Sequence, residues 1–237
     1  MDRLTTLSRK AKHIYQTEGF LTLLQRGFRF LVYCVFEYRS YWLYDEPTPN
    51  GTSLKEVDFM PRVDDFTFKL VTSNQEADEM EAQGFEFRSQ VPNAAEKLDR
   101  WAVAFCIFVG NELAHIVWFA MNQEAKDAFN ELPYKLDFSK GEVCSAAAWT
   151  HPKYRRMGLN RYSHFKRSQY KADKGIATSK SAIAKANIAM QSSYSGPVPN
   201  KYAEGRYLRI LWWNSWKERQ LSAEEQEATR QTNGLHS

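Results

Sequence analysis

Thr150-His151-Pro152-Lys153-Tyr154-Arg155-Arg156-Met157-Gly158-Leu159-Asn160 is the stretch on which the reading of this chain turns. It follows an apolar, strand-like run, Val143 to Trp149, and opens a basic amphipathic segment, Arg155 to Lys174, that reads as a helix. A strand, a short Pro- and Arg-bearing turn with one Gly, then a helix N-terminus is a place to hold a phosphate. The first N–H groups of a helix lack intrahelical acceptors, and the macrodipole adds partial positive charge there. Gly158 removes a side chain where backbone must approach a ligand. Arg155 and Arg156 add fixed charge suited to phosphate oxygens.

The order downstream extends the pattern. Gly175 suits a helix stop, and Ile176 to Ile183 reads as a strand. Ala186 to Gly196 reads as a short helix opened by Asn187 and closed by Gly196 and Pro197, with last strands that include Tyr207 to Trp213. This order and the motif resemble the GCN5-related N-acetyltransferases. That family's acyl-CoA-binding signature is Arg/Gln-x-x-Gly-x-Gly/Ala after a strand. Arg155, Gly158 and Asn160 stand at its three positions, with Asn160 departing from Gly or Ala. The resemblance covers Phe66 to Glu218. It implies a mixed, mostly antiparallel central α/β sheet flanked by helices, with an added N-terminal helical segment.

The resemblance also implies site roles. Backbone groups of Ala148, Trp149 and Thr150 would hold the pantetheine arm of acetyl-CoA or another acyl-CoA. The turn from Arg155 through Arg156, Met157, Gly158 and Leu159 to Asn160 would take the pyrophosphate. Asn187 would lie near the arm, with simple helix capping as the alternative role. Tyr194 would protonate the departing thiolate. Acetyl transfer to an amine also requires that the amine lose a proton. Glu142, which opens the motif strand, and His115, within the apolar run Ala114 to Ala120, are the candidate bases. A lone His in such a strand is more often a satisfied core or substrate-pocket residue than a base. His151 would cover the cofactor, and Cys144 reads as a small buried residue.

Composition limits the alternatives. The chain has 237 residues, 43% hydrophobic and 14% aromatic, ample for a packed core. The longest apolar candidate for a membrane span, Phe20 to Tyr44, is broken by Arg26, Arg29, Glu37 and Arg39. No secretory signal is evident. Three scattered cysteines without CxxC spacing argue for reduced thiols and against structural zinc, and no metal is expected. The expected location is cytoplasmic, with peripheral association at the inner face of the membrane left open.

The net charge of +4 is unevenly placed. Residues 1–44 carry seven Lys or Arg against three Asp or Glu, and Lys153 to Lys180 carry nine against one. Two basic regions point to anionic partners at two places. The second is accounted for by a phosphorylated co-substrate. The first, with aromatics from Phe28 to Tyr44, reads as a helical hairpin packed on the catalytic domain, an interfacial membrane helix, or an oligomer contact. Nucleic acid is disfavoured: Lys166, Arg167, Tyr170, Lys171 and Lys174 read as the outward face of the motif helix, with Leu159, Tyr162 and Phe165 inward.

The expected organisation is 1–44 basic helical segment, 45–65 linker, 66–218 acyl-CoA-binding domain, and 219–237 polar disordered tail. Asn74 would cap a helix ending at Gly84, and Gly110-Asn111 marks a hairpin. The function expected is N-acetyl transfer from acetyl-CoA to a primary amine by direct attack. The acceptor is open among small amines, amino sugars and protein amines. The rivals are a non-catalytic CoA- or partner-binding member and a membrane-surface adaptor.

Overall fold

The structure is a computed structural model and describes residues 36–49, 55–129, 132–191 and 199–226. Eight strands form one sheet in the order β2-β3-β4-β5-β6-β1-β7-β8. They are β1 (Phe36–Pro47), β2 (Phe66–Val71), β3 (Ala102–Val109), β4 (Glu112–Ala120), β5 (Glu142–Thr150), β6 (Thr178–Ala184), β7 (Asn200–Ile210) and β8 (Trp213–Gln220). The β2–β3, β3–β4, β4–β5 and β1–β6 pairs are antiparallel, and β5–β6 is parallel. The helices are α1 (Asn74–Ala82), α2 (Ala94–Asp99), α3 (Gln123–Phe129), α4 (Leu159–Asp173) and the single turn α5 (Ile188–Gln191). This is the mixed, mostly antiparallel sheet with flanking helices that the sequence implies.

The described residues fall into two compact units. One is residues 40–205 with 218–226, and the other is residues 36–39 with Arg206–Lys217. In the larger unit the hairpin β3–β4 turns at Gly110-Asn111 and is buried on both faces, so its strands read as nearly continuous apolar runs. On one face Ile107 and Ala114 pack against Leu159, Tyr162 and Phe165 of α4, and Phe59 stacks on Phe165 at 5.1 Å. Trp118 points to the other face, where Phe87 of the loop after α1 and Phe129 of α3 close over it. Gly84 follows α1 at φ +88°, a left-handed backbone that suits Gly after a helix.

Several expectations are corrected. Residues 36–44 are not helical: Phe36–Pro47 is strand β1, which burying Tyr41, Leu43 and Tyr44 places within the sheet. The aromatic run favours a pleated surface, and the helical spacing of Leu21, Leu24, Phe28, Leu31 and Val35 stops before it. Residues 1–35 lie outside the described residues. The span 45–65 is not a plain linker, because Asp45 to Pro47 pair with β6 and Phe59, from a 3-10 turn at Glu56–Phe59, enters the core. Ser73 rather than Asn74 caps α1, its side chain accepting from the Glu76 N–H at 3.2 Å. Asn74 instead donates to Asp99 and the Ala95 carbonyl. The last strands form a hairpin whose turn, Leu211-Trp212, falls within the run Tyr207 to Trp213. Of the expected tail, Gln220 ends β8 and Ser222 caps a helical turn through its bond from the Glu225 N–H. Residues 227–237 lie outside the described residues.

Candidate functional site

β5 and β6 part company. Their parallel register runs from Glu142↔Thr178 to Cys144↔Lys180 and stops there, although β5 continues to Thr150 and β6 to Ala184. Each strand stays tied on its far side, β5 to β4 as far as His115↔Thr150 and β6 to β1 as far as Tyr41↔Ala184. The sheet therefore opens into a wedge beyond Cys144. Against β4, Ile116 pairs with Trp149 and Trp118 with Ala146, so Ala147 and Ala148 together oppose Val117. This is a β-bulge, and Ala147 sits at φ +52°. Ala147, Ala148 and Trp149 are exposed in the middle of a sheet. An open edge of this kind, with small side chains, can accept an extended amide-bearing chain as it would accept another strand.

The strand leads directly into the motif turn. The His151 imidazole accepts from the Lys153 N–H at 3.2 Å, and its ring meets Trp149 edge-on at 5.8 Å. Arg156 and Gly158 both have positive φ, +65° and +82°. α4 then begins, its first helical bond running from the Tyr162 N–H to the Gly158 carbonyl. The amides of Leu159, Asn160 and Arg161 precede that bond. No side chain caps this 15-residue helix, and its first turn carries no acidic residue. Within the helix's own first turn no carboxylate offsets the macrodipole, which fits an anion. Arg155 and Arg156 are exposed beside it, and Arg155 also reaches the Thr150 carbonyl at 3.4 Å. Gly158 answers to geometry more than to space for a ligand. A Cβ there would meet the Pro61 backbone at 3.4 Å, and the Arg62 N–H donates to the Met157 carbonyl at 2.7 Å.

The candidate bases are placed differently. Glu142 lies at the closed end of the wedge with both oxygens engaged. One accepts from the Asp137 N–H at 2.7 Å and the other from Lys180 at 2.6 Å. It clamps β5 to β6, and Ala147 lies about 16 Å further along the strand at an extended rise per residue. His115 is buried on β4, its Nδ1 2.8 Å from the Thr150 hydroxyl. Burial, with the charge of Arg167 adding, drives its imidazole down to about 3. It is neutral at physiological pH and orients Thr150 at the mouth of the turn. Cys144 is buried against the Tyr134 hydroxyl at 3.0 Å, and burial pushes its thiol up to about 11. Asn187 caps α5, accepting from the Met190 N–H at 3.1 Å. Tyr194 lies outside the described residues.

A polar seam under the wedge escaped the sequence reading. Arg167 and Lys171 do not face outward; they are 4% and 0% exposed. Arg167 donates to Ser145 at 3.1 Å, the first β5 residue beyond the last β5–β6 pair. Lys171 donates to the Glu46 carboxylate at 2.6 Å, and His164 lies 3.2 Å from the same carboxylate. Burial opposes the charge on Glu46, but His164, Lys171 and Arg167 outweigh it and hold the carboxyl down at about 2. For Lys171 burial outweighs Glu46 and shifts it downward. The short contact and the depressed carboxyl together identify the pair as ionic. The signal was the spacing His164, Arg167, Ser168 and Lys171, one helical stripe beside Leu159 and Tyr162. Its partner Glu46 stood in a segment read as linker.

Among the described residues, no helix is long and apolar enough to cross a membrane, and no group of three or more His, Cys, Asp or Glu is placed to hold a metal ion.

No protein-family profile and no curated protein matches this sequence. Solved structures of similar shape include a Drosophila protein, 15% identical, covering 83% of this chain and 57% of its own, at TM-score 0.40. They also include the C-terminal domain of a putative lysylphosphatidylglycerol synthetase from Agrobacterium fabrum, 12% identical, covering 87% and 70%, at TM-score 0.39. A GCN5-related N-acetyltransferase from Kribbella flavida is 15% identical, covering 65% and 52%, at TM-score 0.32. This chain thus spans between about half and 70% of the length of these proteins.

Proposed function

We propose that this protein is an acyl-CoA-dependent N-acyltransferase of the GCN5-related kind, moving an acetyl group from acetyl-CoA to a primary amine. The observation that carries the reading is the wedge: a bulged, small-residue strand parts from its parallel neighbour and runs straight into an uncapped, acid-free helix N-terminus. Acetyl-CoA supplies an activated acyl group with a thiolate leaving group. The chain supplies the rest. Backbone groups of Ala148, Trp149 and Thr150 pair with the amides of the pantetheine arm. The amides from Arg155 to Asn160 hold the pyrophosphate, and the Arg155 and Arg156 guanidiniums add charge. The displaced amides at the Ala147–Ala148 bulge are the donors suited to an acyl oxygen. His115, kept neutral, fixes Thr150 where the arm meets the turn. Tyr194 is assigned proton donation to the thiolate on the family resemblance.

Glu142 is committed to Lys180 and His115 is too weak a base, so the amine proton leaves through water in the open wedge. The same observation favours a second reading, a non-catalytic CoA-binding protein, because no described residue at the bulge is poised as a base. The acceptor is a small amine, an amino sugar or a protein amine. The test is calorimetric titration with acetyl-CoA against dephospho-CoA and ATP, followed by thioester turnover over an amine panel. One-to-one binding with turnover supports the transferase. Binding without turnover on any amine selects the second reading, and no binding overturns both.

A further inference from the structure

The smaller unit carries a surface that acyl transfer does not use. Four consecutive residues at the tip of the β7–β8 hairpin, Ile210, Leu211, Trp212 and Trp213, are 40%, 47%, 89% and 53% exposed. Another tight hairpin among the described residues shows what a turn in water ordinarily uses. β3 and β4 are joined by Gly110-Asn111, a polar pair with Gly at φ +56°. At the β7–β8 tip the left-handed position, φ +55°, is held instead by Leu211. A leucine there meets a steric cost that Gly or Asn would avoid, and about half of its surface stays in water. Phe36 and Tyr38, in the same unit, are exposed as well.

The net charge of this unit is positive. Arg206–Lys217 contains Arg206, Arg209 and Lys217 and no acidic residue. The one carboxylate of residues 36–39, Glu37, is shared between Arg209 and Arg39, each at 2.7 Å. Residues 1–35, which lead into it along the chain, carry six Lys or Arg against two Asp or Glu. Yet the whole protein is only +4, so the larger unit is net acidic.

We propose that the β7–β8 hairpin is an interfacial anchor that docks this protein on an anionic lipid bilayer. Leu211 and Trp212 enter the boundary between headgroups and acyl chains. Indole rings suit that depth because they join an apolar body to an N–H donor. Arg206, Arg209 and Lys217 draw the unit to negatively charged headgroups. A nucleic acid fits less well. Stacking needs flat rings presented along a groove, and here the two indoles share a hairpin tip with Ile210 and Leu211.

The experiment uses the full chain with vesicles of phosphatidylcholine alone and with one third phosphatidylglycerol, read by co-sedimentation and by quenching of tryptophan emission with brominated acyl chains. The Leu211→Asn/Trp212→Gly double variant restores ordinary turn chemistry, so its thermal midpoint should not fall. Its binding to anionic vesicles should drop by about tenfold or more. Arg206→Gln/Lys217→Gln should weaken binding by roughly tenfold at low salt, with the difference vanishing at high salt. No vesicle binding by the parent overturns the proposal. So does a double variant that binds as the parent does, which would give the membrane contact to residues 1–35. Equal, salt-insensitive binding to neutral vesicles removes the anionic lipid. A parent dimer that the tip variant converts to monomer, or preferred binding of single-stranded nucleic acid, assigns the tip to another partner and overturns it too.

Discussion

Two residues at the site are held by constraints that mutation can read. Gly158 sits at φ +82° at the start of α4. Its substitution by Ala forces a left-handed backbone on a residue with a Cβ, so Gly158→Ala should lower stability by about 1–2 kcal/mol. If the turn holds a pyrophosphate, acetyl-CoA affinity should fall as well; calorimetry and thermal denaturation on one sample separate the two effects. A bulkier residue would run into the backbone of Pro61 and report on folding alone. His115→Phe should remove the bond to Thr150 while filling the space, at a cost of about 1–2 kcal/mol for the hydroxyl left without its partner. The pH profile of turnover, if His115 only positions Thr150, should keep its shape in that variant. A lost limb near neutrality would make His115 the base. Gly158 and the arginines beside it were legible because a turn motif is local. The true neighbours of His115 were not, since Thr150 reaches it only through the β4–β5 register.

At the scale of the element, β5 is tied, bulged and then free along its length. Ala147 takes φ +52° without being Gly, so Ala147→Gly should relieve strain and leave stability unchanged or raised by up to about 1 kcal/mol. Ala148 is exposed on the open edge, so Ala148→Phe should move the thermal midpoint little while reducing acyl-CoA affinity by about tenfold or more. Unchanged affinity in a folded Ala148→Phe variant would remove the β5 edge from the binding site. The strand itself was visible as the apolar run Val143 to Trp149. The bulge was not: its cause is a mismatch with β4, and nothing in Ala146-Ala147-Ala148 announces which residue will be displaced. α4 shows the same division. Leu159, Tyr162 and Phe165 reveal an inward face, whereas Arg167 and Lys171 are charged and their burial depends on Glu46 arriving from β1.

For the whole molecule, β1 makes the N-terminal region part of the fold. Tyr41, Leu43 and Tyr44 are buried, and β1 pairs with β6 from Tyr41 to Pro47. Deleting residues 1–44 should therefore abolish cooperative unfolding, as denaturant melts followed by circular dichroism would show. A folded, CoA-binding deletion variant would make β1 dispensable. Glu46 links stability to pH. Its carboxyl lies at about 2 in the fold against an ordinary 4.5, so the folded state binds fewer protons than the unfolded chain between those values. That contribution is fully present above about pH 4.5 and disappears as pH falls towards 2; it amounts to about 3 kcal/mol. Glu46→Gln should be destabilised at neutral pH by about 3 kcal/mol or more, because Lys171 would be left buried without its counter-charge. The variant's stability should fall less steeply below pH 4.5 than the parent's.

The sequence by itself determined the local pieces: the strand-turn-helix motif at Thr150–Asn160, the Gly110-Asn111 hairpin, the apolar runs of β3 and β4, and the uneven charge. Each rests on neighbours within a few residues, where side-chain type and backbone preference act directly. The tertiary structure alone decided that Phe36–Pro47 is a strand, that β5 separates from β6 after Cys144, that Arg167 and Lys171 lie inside, and that Leu211-Trp212 stands exposed at a hairpin tip. These depend on pairing between residues far apart in the chain. There the preference of a residue is overridden by whether a distant partner supplies the missing hydrogen bond, charge or packed surface.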